Sequence, residues 1–184
     1  MRLAAEGWGS EWQTLIAIIM SARTRDETTI KVAERLFAKY PTPSALAEAR
    51  RAEAAAIIRP VNFYRNKTKN VMGAAAALSL RFGGTVPHDM EKLLSISGVG
   101  RKTANVFLSE AGKDAIGVDT HVAHISRALG WTTHRDPHKI EKDLEKLFPR
   151  RYWNRLNRIC VRFGKTHQSQ RKKDELLNRI RGVL

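Results

Sequence analysis

LLSISGVGRKTANVFLSEAGKDAIGVDTH, residues 93–121, decides how this chain is read. Its centre is Gly98-Val99-Gly100, two glycines around one apolar residue. The apolar spacing before it (Leu93, Leu94, Ile96) and after it (Ala104, Val106, Leu108) predicts a short helix, a tight turn and a longer helix. Glycine admits positive φ and puts no Cβ in the way, so the turn's backbone N–H groups and the next helix N-terminus form an anion site. Arg101, Lys102 and Thr103 add two cations and a hydroxyl. A DNA phosphate suits such a clamp, and a clamp built from backbone is blind to base sequence. A lone GVG is more often just a turn between packed helices; the basic chain around this one favours the clamp.

The chain holds 33 Lys and Arg against 18 Asp and Glu, a net charge of +15 over 184 residues. A field of that sign attracts polyanions. Residues 150–184 are the most lopsided, with eleven Lys and Arg against two acids. Membrane surfaces, acidic proteins and RNA are the rival partners. The apolar run LIAIIM, 15–20, is far below the roughly 20 residues a spanning helix needs, and no membrane association is expected. Cys160 is the single cysteine, so no disulfide within the chain and no four-cysteine zinc or iron–sulfur site within it can form. These features predict a soluble intracellular protein.

Helical periodicity runs almost throughout: Trp12, Leu15, Ile16, Ile19 and Met20; then Ile30, Ala33, Leu36 and Phe37; then Val71, Ala74, Ala75, Leu78 and Phe82, ending at Gly83-Gly84. Asp119 is a candidate N-cap for a helix from Thr120, and Asp136-Pro137 opens another. No alternating segment of strand length competes. The expectation is a compact all-α protein of about ten short helices.

LLSISGVGRKTANVFL resembles the helix–hairpin–helix of the endonuclease III family of DNA glycosylases, and GVDTH, 117–121, resembles that family's following loop with its aspartate. The spacing between Lys102 and Asp119 matches. LIAIIMSARTRD, 15–26, is similar to a family helix and the motif that ends it, and VNFYRNKTKN, 61–70, to a loop carrying a duplex wedge. The resemblance spans roughly residues 10–165. It implies a helix–hairpin–helix glycosylase fold. A six-helix barrel lobe over 10–125 holds the hairpin (93–112), and a second helical lobe is built from 1–9 and 126–184.

The resemblance also implies a chemistry. A bifunctional glycosylase uses an amine where a monofunctional one uses water. Lys102 would attack the sugar, release the base and leave a Schiff base from which β-elimination cuts the strand. The reactive form is the neutral amine, since an ammonium has no free electron pair. Asp119 would stabilise the developing positive charge on the sugar and help move protons. Read in isolation, Asp119 is a plain cap and Lys102 a surface cation.

The substrate implied is duplex DNA with a damaged base, chiefly an oxidised pyrimidine, or an abasic site. Ser97, Gly98, Val99, Gly100, Arg101 and Thr103 are the expected hairpin contacts. Phe63 stands where the family has its wedge, Arg23 where it usually has a gap-filling glutamine, and Arg65, Lys67 and Lys165 are further DNA contacts. His121 is expected in the base pocket. Three departures are visible: Arg23 replaces the usual glutamine, Ser97 replaces a common proline, and RFGKTHQSQRKKDELL, 162–177, has no cysteine where many relatives bind an iron–sulfur cluster. Residues 168–184 are expected to replace that loop with one basic helix. No cofactor is required on this reading, no divalent metal is expected, and a monovalent cation held by hairpin carbonyls is implied. The protein is expected to act as a monomer. Open alternatives are a mismatch uracil or thymine glycosylase, mainly an abasic-site lyase, or a DNA-binding module without catalysis.

Overall fold

A computed structural model describes residues 2–167 and 169–183. Eleven α-helices and one 3-10 turn account for its regular structure, and no strand occurs among the described residues. The chain divides into two compact units, Met1–Phe107 and Leu108–Leu184. This division differs from the expected lobes.

In the first unit, α1 (Glu11–Ser21) is the buried centre. Its residues Leu15, Ile16, Ala17 and Met20 have no exposed surface, because apolar side chains occupy nearly every face. Around it stand α2 (Asp26–Lys39), α3 (Pro43–Ala47), α4 (Arg51–Ile58) and the 19-residue α5 (Tyr64–Phe82). α5 packs on α1, α3 and α4 through Val71, Ala74, Ala75 and Leu78. Alanines in that stripe let the helix axes approach closely. The helix starts well ahead of the apolar stripe that predicts it, because its first turn, Tyr64-Arg65-Asn66, is polar and carries no apolar period. It ends at Gly83 in the left-handed conformation, a glycine C-cap. Then come α6 (Met90–Leu94), capped by Asp89, and α7 (Arg101–Glu110). Residues 1–9 were expected with the C-terminal lobe, but the described part, 2–9, packs inside this unit: Leu3 and Ala4 are buried and Trp8 meets Phe37 edge-on at 5.1 Å.

The second unit holds α8 (Thr120–Ala128), α9 (Pro137–Leu147), the 3-10 turn Arg150–Tyr152, α10 (Trp153–Thr166) and α11 (Gln170–Arg181). Ile116, Val122, Ile125, Ile140, Leu144, Leu156, Cys160 and Leu177 form its core. The expected basic helix is α11; its predicted ends, Gln168 and Leu184, lie outside the described residues. Among the described residues no helix is long and apolar enough to cross a membrane.

Candidate functional site

The hairpin folds as its glycine spacing predicts. α6 ends at Leu94, residues 95–100 turn, and α7 begins at Arg101. Val99 is the buried pin of the turn, and its N–H donates to Ile96 O at 3.1 Å. Gly98 has φ +78, and a Cβ there would lie 2.7 Å from Asn70 Cβ. The hairpin therefore rests directly on α5. Ser97 completes that contact: its Cβ and Oγ fill the space over Gly73, and Oγ lies 3.4 Å from Asn70 Oδ1. At Gly100 a Cβ would meet nothing of the protein within 4 Å. Lys102 is exposed in the first turn of α7, with Arg101 and Thr103 half-buried on either side.

Asp119, in the second unit, is the N-cap of α8. Its Oδ1 accepts both the His121 and Val122 N–H groups at 2.9 Å. Among the described residues Oδ2 has no hydrogen bond. One oxygen thus fixes the helix start and the other remains available, so capping and chemistry are compatible in one carboxylate. The loop before it is pinned by Asn157 of α10, whose buried amide donates to Gly117 O at 2.7 Å. Sequence reasoning missed Asn157; the signal was a polar residue inside the apolar stripe of Leu156, Cys160 and Val161.

A second constellation lies in the first unit. The only non-glycine residues with positive φ among those described are Arg23 (φ 57) and Phe63 (φ 58). They are neighbours: the Arg23 guanidinium sits over the Phe63 ring at 5.6 Å. Phe63 is 60% exposed, unusual for a large apolar ring. Left-handed non-glycine residues are strained, and they cluster where function demands a geometry. Arg65 is exposed two residues further, stacked on Tyr64.

Lys67 corrects an expectation. It was read as a DNA contact, yet its side chain is buried and turned inward. Nζ donates to Met20 O at 2.6 Å, to Ala22 O, and to Thr24 Oγ1 at 3.1 Å. All three ammonium N–H groups are used within the fold.

His121 and Lys165 belong to the second unit. His121 helps line a cavity of about 270 Å³ with Thr120, His124, Ile125, Gly164, Gln170 and Lys173. Its ring fills the space beside Gly164, where a Cβ would collide with it. His124 of α8 pairs with Asp174 of α11 at 3.1 Å, which holds α11 against α8. Lys165 is half-buried in the last turn of α10. The residues present do not fit a thiolate-bound cluster: Cys160 is the lone cysteine, it lies in the core, and burial, aided by the Asp119 charge, pushes its thiol up to about 12.

The two-helix hairpin thus leaves open space at Gly100, with an exposed amine in the next helix turn, and the same unit carries a strained aromatic on an exposed loop. The model of the HhH-GPD superfamily of base excision DNA repair proteins matches residues 16–150. Endonuclease III of Thermotoga maritima is 41% identical over 84% of this chain and 73% of its own length. The enzyme of Synechocystis is 43% identical over 87% of this chain and 74% of its own. A solved structure of a trapped endonuclease III–DNA covalent intermediate superposes with a TM-score of 0.84 at 36% identity, over 90% of this chain and 78% of that one. The chain belongs to this superfamily: it is a DNA glycosylase of base excision repair, of the endonuclease III kind.

Proposed function

We propose that this enzyme is a bifunctional glycosylase and abasic-site lyase, with Lys102 as nucleophile and Asp119 as its acidic partner. The observation that carries this is the exposed amine in the first turn of α7, directly behind the hairpin. Lys102 Nζ attacks C1′ of the damaged nucleotide, and the bond to the base breaks with the base taking the electron pair and a proton. Ring opening gives an iminium. Loss of a C2′ proton then expels the 3′ phosphate, and water returns the free amine. Asp119, held by two backbone N–H groups, faces no reorganisation when positive charge develops on the sugar.

DNA is gripped through the hairpin, with Ser97, Gly98, Val99, Gly100, Arg101 and Thr103 around one phosphate and carbonyls of the turn able to hold a monovalent cation. The open space at Gly100 supports this grip. Two alanine substitutions separate architecture from binding. Gly98→Ala should cost about 2 kcal/mol of stability, from the left-handed backbone and the Asn70 clash. Gly100→Ala should melt like wild type and bind duplex DNA more weakly, because its methyl group stands where the phosphate would. Thermal melts and fluorescence anisotropy check both; equal melting temperatures would sink the first expectation.

Phe63 enters the duplex and Arg23 takes the space opposite the extruded base, which offsets the few kcal/mol of unstacking. Their exposure and mutual stacking support this. Arg65 and Lys165 add phosphate contacts, and the His121 cavity, close to the volume of a small-ligand pocket, receives the base. The enzyme works beside cellular DNA and without an iron–sulfur cluster. Oxidised pyrimidines are the proposed lesions. Borohydride trapping on duplexes carrying thymine glycol, uracil, 8-oxoguanine or an abasic site tests the whole reading. Thymine glycol and the abasic site should trap. Trapping of uracil alone would make this a mismatch enzyme, and tight binding with no trapping would remove the amine mechanism.

A further inference from the structure

We infer that Lys67 is a positioning residue for base extrusion, its ammonium fastening the turn after α1 so that Arg23 and Phe63 project together. The inference rests on the reading of those two residues as the parts that enter the duplex.

The turn begins where α1 runs out at Ser21. Carbonyls at a helix C-terminus have no intrahelical donor, and here Met20 O and Ala22 O receive the Lys67 ammonium from α5. The third N–H goes to Thr24 Oγ1. That hydroxyl also accepts the backbone N–H of Asn62 at 3.2 Å, and the Asn62 amide donates to Arg23 O at 2.5 Å. One ammonium therefore ties together the two loops that carry the strained pair. Left-handed Arg23 and Phe63 persist only where their surroundings over-determine them. Lys67 is the charged member of that clamp, and its saturated hydrogen bonding leaves it no N–H for a phosphate.

The groups facing Lys67 are two carbonyls and a hydroxyl, none of which titrates. Burial is the sole cause that pulls its pKa from 10.5 to about 8. The clamp should loosen as pH rises through that value.

The test compares single-turnover cleavage of an abasic site in duplex with the same site in a single strand, where nothing needs extruding. The readout is the duplex-to-single-strand rate ratio in wild type, Lys67→Met, Phe63→Ala and the double variant. Phe63→Ala should lower the ratio about tenfold, Lys67→Met should lower it comparably, and the double variant should fall no further than Phe63→Ala alone. A lowered ratio in Phe63→Ala with an unchanged one in Lys67→Met overturns the inference alone, as do losses that multiply. An unchanged ratio in Phe63→Ala overturns the wedge reading and the inference with it.

Should Lys67→Met fail to fold, the pH profile of wild type decides. The ratio should fall between about pH 7 and about pH 9.5 and stay level in Phe63→Ala. Stability should move the opposite way. The folded pKa lies below the unfolded one, so between about 8 and 10.5 the unfolded chain binds more protons and stability rises with pH. A level wild-type ratio across that range sinks the proposal.

Discussion

Lys102→Gln will bind a duplex carrying an abasic site and leave it uncut. Removing the proposed nucleophile should lower strand cleavage by about three orders of magnitude or more, and the borohydride-trapped complex should vanish. Affinity should survive within a few-fold, because Lys102 is one exposed cation in a chain of net charge +15. The fold should be untouched: the side chain is exposed and the first turn of a helix tolerates glutamine. Gel-based cleavage, trapping and anisotropy on one oligonucleotide settle it. Cleavage by the variant at near wild-type rates would move the nucleophile elsewhere.

Asp119→Asn should slow base release about 100- to 1,000-fold while the protein melts normally. Asparagine caps a helix as well as aspartate does, so the bonds from His121 and Val122 survive the exchange. What disappears is the negative charge offered to the sugar. Asp119→Ala separates the two roles from the other side, since it loses both the charge and the cap and should cost about 1 kcal/mol in addition. Single-turnover glycosylase rates beside thermal melts read both. If Asp119→Asn cleaves at the normal rate, the carboxylate is a cap and nothing more.

Much of this was legible because the signals are local. Glycine spacing, a buried Val99 and flanking apolar residues specify a hairpin whatever surrounds them, and Asp119 declared itself a cap by standing before a helical stripe. Lys67 was misread for the opposite reason. A lysine in a basic chain looks like a phosphate contact, and composition does not say where its three N–H groups find acceptors. The missed signal was periodicity: Lys67 is in register with Val71, Ala74, Ala75 and Leu78, the buried stripe of α5. The left-handed backbones at Arg23 and Phe63 were invisible, since neither residue type favours positive φ. Only the hydrogen bonds that converge on the loops between α1 and α2 and between α4 and α5 impose them.

The paired left-handed backbones carry a consequence for directed evolution. Glycine at either position would relax the backbone, so a library of this enzyme screened for heat resistance alone would accept glycine at 23 and 63 as improvements. On the roles proposed for Arg23 and Phe63, survivors would be hardier catalysts on frayed or unpaired strands and poor ones on intact duplex. Selection for thermal endurance and selection for repair pull this pair of loops in opposite directions.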